Sequence, residues 1–302
     1  MFDHFVWSVL VVPPLLVVAA RLTADRLEPS IAAASLAWSA AVTGVASIVN
    51  LTVFALKAIA EIPAVGRAFG WSAEVVAKDT KHVLWVSWTS LLLVAIAAVA
   101  AIERRQRRHQ WTLQLGRDLS TEGRVVMVTE PKALAFTVPG EPGRIVVTTG
   151  MRQLLNERQF AALLAHEHAH LTGGHHRFVR MAGLAAVSHP VLRWVSRYVD
   201  YLVERAADEK AADDVGSRRT VAQAIGAIAL STSSRPAPYG LNAVSSGGAM
   251  PRRVAHLLHP RRAIRWPALR ALPVVFALAS VVWTAEAIYD LMELLAEARR
   301  KR

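Results

Sequence analysis

The chain has 302 residues and a formal net charge of +12, and 53% of its residues are hydrophobic. This length fits one membrane bundle with one modest soluble domain and excludes two large soluble domains. Basic residues flank discrete apolar blocks, so the positive charge indicates a lipid membrane as the partner, and no direct nucleic-acid binding is expected. The absence of cysteine excludes disulfides, thiolate metal sites and a cysteine nucleophile.

Three apolar blocks near the N-terminus predict membrane spans. Residues 31–56 and 83–102 contain no charged residue, and each is long enough to cross roughly 30 Å of hydrocarbon. Residues 5–20 are also uncharged, but they are short for a span and contain Pro13 and Pro14. The alternative for this block is a cleaved signal peptide. We favour a retained, kinked helix, because no basic residue precedes the block.

A fourth apolar block, residues 271–285, is followed by Glu286 and Asp290. It predicts either a fourth span, which we favour, or an amphipathic helix on the membrane surface. The expected fold is a mostly α-helical membrane protein, a bundle of about four spans with a small α+β domain before the last one. The predicted divisions are a membrane region at 1–102, a cytoplasmic domain at 103–270, and a final helix with a basic tail at 271–302.

Arginines at both ends of the middle region indicate how the spans are oriented. Four directly follow the third predicted span, and six, among them Arg252 and Arg253, precede the fourth. Basic residues are in excess on the cytoplasmic side of membrane proteins, so the middle region is expected in the cytoplasm and the loop 57–82 outside. If the fourth helix crosses the membrane, the basic tail 299–302 would lie outside, which conflicts with this rule. The expected location is a cell membrane that the chain crosses several times.

The middle region begins with strands and continues with helices. Stretches rich in β-branched residues, separated by turn residues, predict strands at 124–129, 133–138 and 144–149. A helix is expected to follow, with Asn156 as its N-cap, and a second long helix over 191–214. Residues 231–250 are rich in Ser, Pro and Gly and are expected to be mobile.

The first of these helices contains the HExxH pattern. His166 and His170 are four residues apart and lie on one helix face, where both imidazoles can bind one metal ion. Glu167 is beside that face, where it can act as a general base on a zinc-activated water. A chance match is the alternative, but the preceding strands and the small neighbouring residues favour a site for one catalytic Zn²⁺. His168 is expected on the opposite side of the helix, and His175 and His176 in a polar loop beyond it.

A third ligand is expected from Glu204, which lies 34 residues after His170. Asp208 is four residues further and shares its helix face, so it can accept a hydrogen bond from a ligand imidazole. The alternative is a solvated acidic pair beside Arg205 and Lys210. The competing acidic residues are Asp200, Glu209, Asp213 and Asp214.

These motifs, with membrane helices on both sides, resemble the membrane gluzincins. The segments 135–140, 144–150 and 163–167 are most similar to the BlaR/MecR-type peptidases, bacterial sensor-transducers with a cytoplasmic zinc protease domain between the third and fourth spans. The second branch that fits comprises the HtpX-type and CAAX-type proteases. The sequence stops after the fourth predicted span and contains no Ser-x-x-Lys motif, so we do not expect direct β-lactam sensing.

The expected function is a membrane-embedded zinc endopeptidase, in which 103–270 forms a small α+β zincin domain of the gluzincin type. The resemblance implies regulated proteolysis or signalling, with a cytoplasmic transcriptional repressor as the protein substrate. The alternatives are quality-control cleavage of membrane proteins and zinc-dependent signalling without cleavage. Tyr198 and Tyr201 are the candidates for stabilising the oxyanion. The sequence does not indicate the oligomeric state.

Overall fold

The computed structural model describes residues 2–79, 84–118, 123–232, 249–259 and 267–301. Its helices are α1 (Phe2–Phe5), α2 (Val12–Thr23), α3 (Pro29–Ala60), α4 (Pro63–Phe69), α5 (Ala73–Lys78), α6 (Leu84–Asp118), α7 (Thr149–Leu154), α8 (Glu157–Thr172), α9 (His175–Ser188), α10 (Arg193–Val215), α11 (Arg218–Thr232), α12 (Ala249–Leu258) and α13 (Pro267–Arg300). The strands are β1 (Val125–Val128), β2 (Ala135–Val138) and β3 (Arg144–Thr148).

Four helices are long and apolar enough to cross a membrane: Phe2–Thr23, Pro29–Ala60, Trp85–Glu103 and Pro267–Arg300. Each contains one of the predicted spans or overlaps nearly all of it. The third helix continues to Asp118, so the division predicted at residue 102 does not coincide with a helix end. The fourth continues through Glu286 and Asp290, and both carboxylates lie beside the His4 imidazole, at 3.4 and 3.0 Å.

The first long helix is distorted before its two prolines. Residues Val6–Val11 are π-helical, and the backbone N–H of Val12 donates to the carbonyl of Trp7, five residues earlier. Pro13 and Pro14 cannot donate backbone hydrogen bonds and crowd the preceding turn, which accounts for the wider winding. The structure thus has a π-helical segment directly before the two prolines.

The sheet has the strand order β1-β3-β2, with β1 parallel and β2 antiparallel to β3. All three strands lie within the predicted stretches. Ile145 and Val147 of β3 form a hydrophobic cluster with Leu163 of α8 and with Met151 and Leu155. The sheet thus supports the helix that carries the HExxH pattern.

Helices α9 and α10 form a hairpin that packs against the membrane-length helices. A single cluster combines Leu16 of α2 and Leu36 of α3 with Leu192, Val195 and further residues of the hairpin. A Cβ added at Gly44 of α3 would lie only 3.1 Å from the Cα of Ala185 in α9, so glycine allows the two helices to approach closely here.

The connections between the long helices were only partly predicted. The loop expected at 57–82 begins inside α3 and then contains two short helices, α4 and α5. Lys57 is fully buried rather than exposed, because its ammonium group pairs with the Glu61 carboxylate at 2.7 Å. Of the segment expected to be mobile, residues 233–248 lie outside the described residues.

Candidate metal centre

His166, His170 and Glu204 form a group in which three potential ligand atoms lie within 4.8 Å of one another. The Nε2 atoms of the two histidines are 3.1 Å apart. The Glu204 carboxylate oxygens lie 3.6 Å from Nε2 of His166 and 3.5 Å from Nε2 of His170. Zinc bonds of about 2.0–2.1 Å at tetrahedral angles separate neighbouring ligand atoms by about 3.3 Å. The three residues therefore have the spacing of three corners of a zinc tetrahedron.

Two helices position these three side chains. Helix α8 begins at a capping box, in which the Asn156 side chain accepts from the backbone N–H of Gln159 and the Gln159 side chain accepts from that of Asn156. The predicted N-cap is therefore confirmed. Ala162 of α8 packs with Ala211 and Ala212 of α10, and such small residues allow the two helices to lie close together. This contact brings Glu204 on α10 opposite the two histidines on α8.

Glu167 is buried beside the two histidines, with 8% of its surface exposed. Burial raises the pKa of Glu167 to about 7, although the nearby imidazole of His166 acts in the opposite direction. A carboxylate with a pKa near neutrality can both accept and return a proton under physiological conditions. His168, by contrast, is exposed on the other side of the helix, as its place in the sequence indicated.

Asp208 lies behind His166 and is almost fully buried. Its Oδ1 atom is 3.0 Å from Nδ1 of His166, which leaves Nε2 of the same ring facing His170 and Glu204. Burial opposes a charge on His166, but its hydrogen bonds to Asp208 and Glu204 raise the pKa of the imidazole to about 10. The carboxylate of Asp208 thus fixes which nitrogen of His166 faces the site.

Arg253 of α12 completes the acidic side of the site. Its Nε and Nη2 atoms donate to the two oxygens of Asp208, both at 2.7 Å, and Nη1 lies 2.8 Å from Oε2 of Glu204. Burial opposes ionisation of the carboxyl groups of Glu204 and Asp208. The Arg253 guanidinium nevertheless holds the pKa of each below its usual range. The sequence analysis treated Arg253 only as a charge at a membrane flank, whereas the structure buries it.

His175 was also assigned incorrectly. It is the first residue of α9, is buried, and its Nδ1 lies 3.0 Å from Nδ1 of His170. Gly173 makes this approach possible, because a Cβ there would lie 2.6 Å from the His175 ring, and Gly174 adopts a left-handed conformation with φ of 60°. Burial lowers the pKa of His175 to about 4, so its neutral ring can accept a hydrogen bond from the Nδ1–H of His170. His176 is exposed, but it lies in α9 rather than in the predicted loop.

The charge of the site fits a divalent cation. Glu167 and Asp208 are buried and Glu204 is half-buried, and among the described residues these three carboxylates face one guanidinium, that of Arg253. A bound divalent cation would keep both imidazoles unprotonated, and the ionised carboxylates would then exceed the charge of the guanidinium. Buried charges are costly unless they are paired, so a cation at this position would reduce the excess. The acidic residues are therefore compatible with a divalent cation held by His166, His170 and Glu204.

The competing residues lie elsewhere. Glu209 pairs with Arg218, and Asp214 pairs with Lys210, so these carboxylates are engaged at the surface of α10. The hydroxyl of Tyr201 donates to Asp25 at 3.1 Å, which commits this candidate oxyanion group to another contact.

Residues 103–185 match the model of peptidase family M48. The match includes the HExxH helix and ends before Glu204, Asp208 and Arg253. It supports the M48 metallopeptidase family, whose members are zinc enzymes, and does not distinguish the BlaR/MecR-type branch from the HtpX-type branch. Neither the curated proteins nor the solved structures contain a significant match to the chain.

The geometry predicts which substitutions reduce zinc content. His166→Ala, His170→Ala and Glu204→Ala should each lower zinc well below one ion per chain after dialysis, because each removes one of three protein ligands. Metal analysis of the purified protein measures this directly. His168→Ala removes an exposed histidine from the same helix and serves as the control. Full zinc content in Glu204→Ala would remove that residue from the ligand set.

A second prediction concerns Arg253. Arg253→Met keeps much of the side-chain volume but leaves the carboxylates of Asp208 and Glu204 without their buried counter-charge. We expect the zinc-free protein to lose on the order of 3–5 kcal/mol in the free energy of unfolding.

Chemical unfolding in detergent measures this loss. Arg253→Met combined with Asp208→Asn should recover part of it, and Arg219→Met, at an exposed position of α11, should have little effect. Equal stability of Arg253→Met and Arg219→Met would show that the buried ion pairs do not stabilise the site.

Proposed function

We propose that the chain is a zinc-dependent endopeptidase in which His166, His170 and Glu204 bind the metal. The observation that carries the proposal is the convergence of these three side chains at tetrahedral spacing, beside the buried carboxylates of Glu167 and Asp208. The family match over residues 103–185 supports the same activity independently of the geometry.

Glu167 is the residue proposed to move protons. When bound, zinc would lower the pKa of a water molecule and polarise the carbonyl of the peptide bond. The Glu167 carboxylate would take a proton from the attacking water and then deliver it to the departing amine. Its position, one residue out of phase with His166 and His170, keeps it out of the ligand set but next to it.

Asp208 and Arg253 are proposed to hold the ligands in place rather than to react. Asp208 orients the ring of His166, and Arg253 in turn fixes Asp208 and one oxygen of Glu204. His175 would have the corresponding role for His170, because it can accept a hydrogen bond from the Nδ1–H of that ring. Each ligand is thereby held by a second side chain, the arrangement that usually sets the tautomer and orientation of metal-binding residues.

The membrane arrangement is proposed from the four apolar helices. If all four apolar helices cross the membrane, the α2–α3 turn and the region between α6 and α13 lie on the same side of it. Contacts of Asp25 in that turn with Tyr201 and Arg252 agree with this requirement. The backbone hydrogen bond from Ser72 to Ala298 likewise joins two segments that would share the other side. With the flanking arginines, this supports a multi-pass protein of the cell membrane with a cytoplasmic peptidase region.

The proposed substrate is a cytoplasmic protein. The resemblance to the BlaR/MecR-type peptidases supports a transcriptional repressor, cleaved in regulated proteolysis. Comparison of cytoplasmic proteins between cells with the wild-type chain and cells with an inactive variant tests this proposal. A single accumulating protein with a DNA-binding domain is the expected result, whereas many unrelated accumulating proteins would indicate quality control.

Glu167→Gln separates catalysis from metal binding. The amide cannot accept the proton of the attacking water, so proteolysis should fall by about 10²–10⁴-fold, the usual contribution of a general acid–base group. Zinc content should remain that of the wild type, because Glu167 is not a ligand. The measurement pairs metal analysis with turnover of one identified substrate. Cleavage by Glu167→Gln at the wild-type rate would refute the mechanism and leave a structural metal site.

The orientation predicts which loops are accessible from outside the cell. A tag inserted between residues 233 and 248 should be labelled only after the membrane is permeabilised, and a tag at Gly70, between α4 and α5, should be labelled in intact cells. Labelling of the first tag in intact cells would reverse the orientation and exclude a cytoplasmic substrate.

A further inference from the structure

A cavity of about 550 Å³ lies where the first long helix ends and meets the helices of the metal centre. It is lined by Arg21, Leu22, Asp25, Arg26, Tyr198 and Arg252. These residues come from α2, the α2–α3 turn, α10 and α12, so four separate parts of the chain build the wall. None of them belongs to the proposed zinc ligands or to the residues that hold those ligands.

The cavity has an excess of positive charge. It contains three guanidinium groups and one carboxylate, and the carboxylate of Asp25 is already engaged by Arg252 at 2.6 Å and by the hydroxyl of Tyr201. Among the residues that the structure describes, Arg21 has no ion-pair partner, and Arg26 donates only to the backbone carbonyl of Leu22. Two guanidinium groups thus face the cavity without a counter-ion from the described chain.

If the apolar helix Phe2–Thr23 crosses a membrane, the cavity at its end lies at the level of the lipid headgroups. Arg21 is in the last turn of α2, at the end of the apolar helix Phe2–Thr23. The exposed side chain of Leu22 adds an apolar contact beside the three arginines. Arginine is suited to phosphate, because its planar fork can donate two parallel hydrogen bonds to phosphate oxygens. Basic pockets between membrane helices characteristically bind anionic headgroups.

We propose that this cavity binds a phosphate-bearing anion, either the headgroup of an anionic phospholipid or free phosphate. Arg21 and Arg26 would donate to the phosphate oxygens. Arg252, held by Asp25, would contribute charge at the opposite wall. The proposal does not depend on the peptidase activity, because the site would bind its ligand without zinc and without substrate.

The test uses the purified full-length chain in detergent micelles that contain equal amounts of phosphatidylglycerol and phosphatidylcholine. Native mass spectrometry then measures which lipid stays bound. The wild type should retain one phosphatidylglycerol in preference to phosphatidylcholine. Each arginine near an anionic surface raises the affinity by about fivefold. The double variant Arg21→Gln/Arg26→Gln should therefore bind phosphatidylglycerol at least about tenfold more weakly than the wild type.

The matched control is Arg67→Gln/Arg299→Gln, which removes the same charge from exposed positions at the other end of the long helices. It should retain phosphatidylglycerol as the wild type does. A further variant, Arg21→Lys/Arg26→Lys, keeps the charge but loses the planar fork, so its retention should lie between those of the wild type and the glutamine variant. Zinc content and the unfolding midpoint of every variant are measured to show that the fold is intact.

Inorganic phosphate distinguishes the two sources of the anion. Stabilisation of the wild type by phosphate but not by phosphatidylglycerol, lost in Arg21→Gln/Arg26→Gln, would identify free phosphate as the ligand. Equal retention of both lipids with no effect of phosphate would overturn the proposal. So would an equal loss of phosphatidylglycerol in the glutamine variant and in the control. None of these measurements depends on cleavage of a substrate, so their outcome does not test the endopeptidase proposal.

Discussion

The placement of three carboxylates around two imidazoles, with Glu167 and Asp208 buried and Glu204 half-buried, is the constraint on which the candidate metal centre depends. Such a cluster needs nearby cations to be stable, and among the described residues Arg253 supplies one. The contacts around the site pair the carboxylates with these groups. Asp208 accepts hydrogen bonds from both His166 and Arg253. Glu204 pairs with Arg253 and faces the imidazoles of His166 and His170. In the absence of a metal ion, the raised pKa of His166 lets a proton supply part of the missing positive charge.

The residues that could be predicted from the sequence are those fixed by local geometry. Helical spacing is enough to bring His166 and His170 onto one face, and a capping residue is enough to mark the start of α8. The contact of Arg253 with Asp208 could not be predicted, because the two residues are 45 positions apart in the chain. One local signal was available: Arg253 shares a face of the short helix α12 with Val254 and Leu257, which pack into a core, and an exposed arginine would not be expected there.

His175 shows a different limit of sequence analysis. A Gly-Gly pair before two histidines is typical of a polar turn, and the turn is present. The conformation of that turn, however, directs the first histidine back beneath His170 and leaves the second exposed. Nothing in the order of residues distinguishes His175 from His176, because the difference arises from the left-handed backbone at Gly174 and from the direction in which α9 leaves.

Helix α10 makes the metal centre continuous with the membrane-length helices. Its first half packs Val195, Val199 and Leu202 into the cluster that contains α2 and α3, and its second half carries Glu204 and Asp208. One helix thus links the position of Glu204 to the packing of α2 and α3. Arg205 adds to this connection, because it follows Glu204 directly and donates to the carbonyl of Ala24, at the end of α2, at 2.9 Å. A boundary drawn by hydropathy between the apolar helices and the middle region therefore passes through one shared cluster, because α2, α3 and the first half of α10 all contribute to it.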